Sequence, residues 1–206
     1  MSFDEYDRYD VYLAKLPKAK GSVQQGVRPV MIWNGSEYDY LMDKDRVVLS
    51  AFCFTTEKKP NLPVHCLLKA SDSCLKKDST FLAEQPVRLL ESNLIERWGN
   101  LSSKEHRYMI YRAISIQTSK EGRPYGIFKY PYKFLVEVKE SSQGLEAIKY
   151  LIKKEDLNEE LKNSLKSHID LAKNMVGDIC KKHNVMPHNY MKDLSDGNIE
   201  FSLLNL

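Results

Sequence analysis

Six short runs of β-forming residues, joined by connections with little room for anything but turns and followed by one capped helix, constrain the first 117 residues most. The runs are Asp10 to Leu16 (DVYLAKL), Val27 to Trp33 (VRPVMIW), Arg46 to Phe54 (RVVLSAFCF), the stretch VHCLL, then STFL and QPVRLL. RVVLSAFCF is mostly apolar and is the best central strand. Pro29 lacks an amide donor, which suits an edge or a strand's first residues. Asn34 to Asp45 carries Gly35 and four acidic side chains and reads as a solvated loop. The pattern SSKE from Ser102 predicts a capping box, with the Ser102 hydroxyl and the Glu105 carboxylate holding free helix-end amides. Met109, Ile110, Ala113, Ile114 and Ile116 continue at helical spacing, so a helix is expected over 103–116. Short strands in series closed by one helix indicate a small, strongly bent sheet or barrel: a mainly β chain with helices, of the α+β class.

TSKEGRPYG (Thr118 to Gly126) combines Gly, Pro and charge without periodicity, so residues 118–126 read as a linker between a domain at 1–117 and an extension at 127–206. In the extension, Tyr132 to Val138 (YKFLVEV) is strand-like. A second capping pattern, Asp156 to Glu159, opens a long helix. Leu157, Leu161, Leu165, Ile169, Ala172, Val176 and Ile179 make a stripe along one face of it. An exposed stripe of that length invites aggregation, so a partner surface is expected for it. The last stretch, DLSDGNIEFSLLNL, interleaves acidic with apolar side chains.

No apolar run approaches the roughly 20 residues that cross a bilayer, and MSFDEYDRYD is too acidic for a leader, which points to the cytoplasm. Cys53, Cys66, Cys74 and Cys180 are scattered without a CxxC pair, so neither metal nor redox chemistry is expected of them. The chain to Pro124 holds 19 basic and 16 acidic residues, and the remainder twelve of each. Such a balance does not by itself announce nucleic acid.

Chemistry concentrates in GSVQQGVRPV, Gly21 to Val30. Pro29 disfavours helix at Arg28 and keeps it extended, which limits where the guanidinium points. A guanidinium is always charged and presents a planar donor fork that matches phosphate oxygens. An arginine on a β-edge can equally pair with a carboxylate.

GSVQQGVRPV resembles the signature of the MazF/PemK/Kid toxins, roughly GSEQxGxRPxLV, and the likeness continues in order along the chain. RYDVYLAKL resembles the family's first strand, usually with Gly where Tyr9 stands; LPVHCLL resembles its LPTHVEI; Ser79 to Ile114 resembles its final strands and helix. The resemblance implies an SH3-like barrel, here with a C-terminal helical extension. It also implies a homodimer, a metal-free and cofactor-free endoribonuclease acting on single-stranded RNA, and a cognate antitoxin, with DNA reached only through the antitoxin complex.

By the same resemblance Arg28 is the catalytic arginine and Thr55 the threonine at the end of the third strand, with adjacent Thr56 as the alternative. RNA supplies its own nucleophile, the 2′-hydroxyl, so the expected products are a 2′,3′-cyclic phosphate and a 5′-hydroxyl. Lys20, Ser22 and Gln24 are candidate RNA contacts. Trp33 can stack on a base or belong to the core or a dimer interface. His65 is the nearby group that titrates close to neutrality, as a proton-transfer residue or a structural histidine. Val23 stands where the signature has Glu, and Val64 where it has Thr. A gyrase poison of the CcdB type would share the barrel but lacks the Gly-Ser…Arg-Pro signature. A degenerate member kept as a binding module would retain it. The acidic and apolar tail, Asp193 to Leu206, resembles the antitoxin segments that block the RNA groove, which implies a self-restraining tail.

Overall fold

The computed structural model describes residues 6–18, 21, 23–34, 48–56, 62–142 and 158–205. Two compact units make up the chain, Met1–Tyr125 and Gly126–Leu206. The first contains β1 (Asp10–Leu16), β2 (Gly26–Asn34), β3 (Val48–Thr55), β4 (His65–Leu68), β5 (Ser79–Leu90) and β6 (Leu94–Asn100), then helix α1 (Lys104–Thr118). The strands form one antiparallel sheet in the order β4-β5-β3-β2-β1-β6, so the architecture is mainly β with helices, as the strand pattern requires.

Alternation along the central strands divides the apolar residues between two faces. Val11, Met31, Phe52, Phe54 and Phe81 join Ile110 and Ala113 of α1 in one core. Tyr12, Ala14, Leu16, Val30, Ile32, Leu49, Ala51 and Cys53 form a second cluster, without α1 residues. Cys53 and Cys66 are buried free thiols, pushed up to about 11 and about 12 by loss of solvation, and they act as small apolar side chains.

Two local expectations need correction here. STFL and QPVRLL are not separate strands but one, β5. Its pairing with β3 jumps from Phe52↔Pro86 to Phe54↔Phe81, so the residues between Phe81 and Pro86 bulge out of that ladder. The bulge turns over the strand's faces: Phe81 and Ala83 lie in the α1-side core, whereas Val87 and Leu89 lie with the other cluster. At α1 the cap is Ser103, not Ser102; its hydroxyl accepts from the His106 amide. A one-residue shift is natural in a Ser-Ser pair, since either hydroxyl can serve.

In the second unit the strand-like run Tyr132–Val138 is instead the start of helix α2 (Tyr132–Ser142). Phe134, Leu135 and Val138 are all buried, which is one helical face rather than the alternate residues of a strand. Helix α3 spans Glu159–Lys182 and is capped by Asn158, whose side chain accepts from Leu161 N at 2.8 Å. Asp156 and Leu157, expected to open and line it, lie outside the described residues. Among the described residues of the stripe only Ile179 is buried; Leu165, Ile169, Ala172 and Val176 are half-buried, and Leu161 is 46% exposed. Helix α4 (Pro187–Ser195) follows, and its Tyr190 ring meets Tyr130 and Phe134 edge to face at 5.6 and 5.1 Å, while Tyr130 and Phe134 lie tilted at 5.7 Å. Among the described residues no helix is long and apolar enough to cross a membrane.

Candidate active site

Gly26 opens β2 with φ +76, a conformation that a glycine adopts freely, and so turns the loop ending at Gln25 onto the strand. Two residues on, Arg28 sits across from Ala14 of β1 and is half-buried. Its Nε donates to the Gln25 carbonyl at 3.4 Å, a long bond that ties the guanidinium to the loop just before it. The loop is held from elsewhere as well: Gln24 N donates to Gln85 Oε1, on the β5 bulge, at 2.9 Å.

The β2–β3 register pairs Met31 with Phe52 and Val30 with Cys53. Continued by two residues, it sets Arg28 across from Thr55 and Val27 across from Thr56. Opposed residues of an antiparallel pair share a face, so Arg28 belongs with Thr55, and Thr56 belongs to the other side. Arg28 also pulls down the buried Cys53 thiol, against the rise that burial causes, which agrees with that placement. Thr55 is 6% exposed and sits opposite Thr80 of β5, which is 2% exposed. Thr80 in turn faces Leu67 of β4. Ala14 and Arg28 thus pair across β1 and β2, and Thr55, Thr80 and Leu67 across β3, β5 and β4; the continued β2–β3 register joins the two sets in one row.

His65, at the start of β4, is almost fully enclosed, and its Nε2 lies 2.9 Å from Glu84 Oε1. It pairs in register with Leu82, two residues from Thr80, and so lies on the same face as the row. Trp33 lies elsewhere. It is half-buried in an aromatic group with Tyr9, Phe52 and Tyr111, under the Arg8 guanidinium 5.0 Å from its ring. Lys20 and Ser22 are outside the described residues. Val23 is described and is 47% exposed. Among the described residues no three His, Cys, Asp or Glu side chains gather as a metal site. The structure thus sets Arg28 beside the Gln24–Gln25 loop end, with Thr55 facing Arg28 by the continued register, and places Trp33 in the aromatic group instead. It adds Thr80, Glu84 and Gln85, none of which the sequence analysis singled out. Their signal was the polar pair Glu84-Gln85 before Pro86, interrupting an apolar run, which marks a bulge rather than a turn.

A family model described as PemK-like, MazF-like toxin of type II toxin–antitoxin system matches residues 7–116, just over half of the chain. The chain belongs to that family. The Endoribonuclease MazF of Staphylococcus saprophyticus is 37% identical to it over 102 residues, 48% of this chain and 79% of the relative. Two solved structures are similar over 52% of this chain. An endoribonuclease in complex with its cognate antitoxin, from a mycobacterial species, has 18% identity, a TM-score of 0.41 and 89% of its own length covered. The Mycobacterium tuberculosis toxin MazF-mt6 has 17% identity, a TM-score of 0.40 and 92% covered.

Membership in the PemK/MazF family gives Tyr9 its interest. The residue has φ +74, the left-handed region that a glycine, usual there in the family, occupies without strain. Here a tyrosine takes it. The ring is 6% exposed, with the Arg107 guanidinium 4.4 Å from its centroid, and burial together with Tyr111 pushes its phenol above the usual tyrosine range. The family match ends before the second unit. There the tail expected to restrain the enzyme has partners of its own: Asp193 accepts from Tyr130 Oη at 2.7 Å and from Lys129 Nζ at 3.1 Å. Ile199 and Leu204 are buried. These groups are packing elements of the C-terminal unit.

Proposed function

We propose that this PemK/MazF toxin is an endoribonuclease that cuts single-stranded RNA without a metal, through attack by the RNA's own 2′-hydroxyl, leaving a 2′,3′-cyclic phosphate and a 5′-hydroxyl. The observation that carries the reading is the β2–β3 register, whose last pair is Val30 with Cys53 and whose continuation sets Arg28 and Thr55 on one face, behind a glycine-hinged loop. Family membership and the name of the staphylococcal relative support the substrate class.

With the nucleophile carried by the substrate, the protein's task is to stabilise charge on the phosphate oxygens. Arg28 supplies a fixed positive charge and a donor fork; with a pKa above ~12 it cannot serve as a simple base. The Thr55 hydroxyl supplies one further donor, from a backbone held between β2 and β5. Little of Thr55 is exposed, but one oxygen suffices for one hydrogen bond, and a buried frame keeps it oriented. Preorganised donors of this kind are worth roughly 3–4 kcal/mol each. The backbone-binding role belongs to the Gly21–Gln25 loop, with Lys20, Ser22 and Gln24, and the molecule acts as a homodimer in the cytoplasm, restrained by a cognate antitoxin.

Val23 favours a second reading. It removes the carboxylate that the signature carries in this loop, as in a member kept for binding alone. Digesting a long, weakly structured RNA with the purified chain in EDTA, then mapping the ends, separates the two. A metal-independent enzyme gives discrete fragments with 5′-hydroxyl ends, and Thr55→Ala slows it more than Thr56→Ala. Intact RNA speaks for the binding module, and cleavage abolished by EDTA overturns the mechanism.

A further inference from the structure

The loop that carries the arginine is not anchored by its neighbouring strands alone. In the sheet order β5 is separated from β2 by β3, yet Gln85 of β5 accepts a hydrogen bond from the amide of Gln24, 61 residues away in sequence. It lies in the bulge between Phe81 and Pro86, where β5 leaves its ladder with β3, and it reaches the loop through its side-chain oxygen. The next residue of the loop, Gln25, offers its carbonyl to Arg28 Nε. Gln85, the Gln24 amide, the Gln25 carbonyl and the Arg28 guanidinium therefore form one connected series of groups, each fixing the next.

We propose that Gln85 is the positioning residue of this site: by holding the Gln24 amide it sets the loop conformation in which the Gln25 carbonyl orients the Arg28 guanidinium. Gln85 itself does not touch the reacting atoms. The inference rests on the ribonuclease reading above. An arginine at the mouth of a strand has several rotatable bonds, and a misplacement of ~1 Å in a catalytic group can cost about 100-fold in rate. The bulge is then more than a fault in β5, since it delivers an acceptor across an intervening strand.

The test compares Gln85→Met, which keeps the length and removes the acceptor, with Gln85→Glu, which restores an acceptor oxygen at the same reach. Both are assayed in the full chain for RNA cleavage and by NMR of the Gln24 amide and the Arg28 Nε–H. Gln85→Met should lower kcat about tenfold or more with KM within threefold, shift the Gln24 amide upfield and speed exchange of the Arg28 Nε–H. Gln85→Glu should recover kcat to within about threefold while raising KM, because it sets a carboxylate beside a polyanion. Should Gln85→Met fail to fold, Gln85→Ala makes the same deletion by truncation at this half-buried position. Unchanged kcat in the acceptor-free variant, loss of kcat that Gln85→Glu does not recover, or an Arg28 signal indifferent to residue 85 would each overturn the proposal. A wild type that leaves RNA intact overturns the ribonuclease reading instead, and the Arg28 signal alone then decides the anchoring.

Discussion

Tyr9 shows how a single residue is held by opposing effects. A left-handed backbone costs a side-chain-bearing residue roughly 1–2 kcal/mol. Against this stand the burial of a large ring, its contacts with Trp33 and Tyr111, and the Arg107 guanidinium over its face. Removing a buried aromatic side chain typically costs about 3–5 kcal/mol. Tyr9→Gly should therefore relax the backbone and still destabilise the first unit by about 2 kcal/mol, measured by denaturant unfolding. A more stable variant would show that the strain outweighs the ring. At this scale the extended backbone of Arg28 in β2 was legible, because the Pro29 after it restricts the chain locally. For Trp33 the sequence left base stacking, core and dimer interface open, and its packing against the core depends on Arg8 and on Tyr111, 78 positions further along the chain. Gln85 was not legible, because its partner is set by a strand crossing.

Among the elements, strand runs were found where β-formers cluster, and α1 where apolar residues recur every three or four positions. Two misreadings have different causes, and the first is that a short apolar run does not declare its period until its partners are known. YKFLVEV serves as well for a strand as for a helix, and its buried Phe134, Leu135 and Val138 decide for the helix α2. STFLAEQPVRLL looked like two strands because a bulge and a turn both collect polar residues and proline. Helices α2 and α4 are tied into their unit by two carboxylates. The Tyr130 hydroxyl foremost, then Lys129, holds Asp193 below the usual carboxylate range; His183 and Lys182 do the same for Glu137. A carboxylate depressed in the folded state stabilises above its unfolded pKa, near 4, and that contribution is lost as the pH falls through the folded value. Helical ellipticity and melting temperature of the C-terminal unit should therefore fall as the pH drops below about 4. Asp193→Asn combined with Glu137→Gln should flatten that acid limb and lower stability at neutral pH. An unaltered acid limb would place the sensitive carboxylates elsewhere.

For the whole molecule, two units meet at Tyr125 and Gly126, and the family match is confined to the first. The second has its own aromatic core, which no sequence motif announced, because packing cores leave only a periodic trace. We propose that the chain dimerises through an isologous interface, as the family resemblance implies. Light scattering at micromolar concentration should give about twice the 23.9 kDa of the monomer, and a monomer mass would refute it. The role of Arg28 is tested most directly by the single-turnover rate of RNA cleavage in EDTA for Arg28→Ala, beside its melting temperature. The expected result is a fall of about 100-fold or more, the loss of one preorganised donor, with a melting temperature close to wild type, since a half-buried strand-opening arginine adds little to the core. A folded variant that keeps more than about a tenth of the wild-type rate has lost less than ~1.4 kcal/mol, which would contradict the role assigned to Arg28.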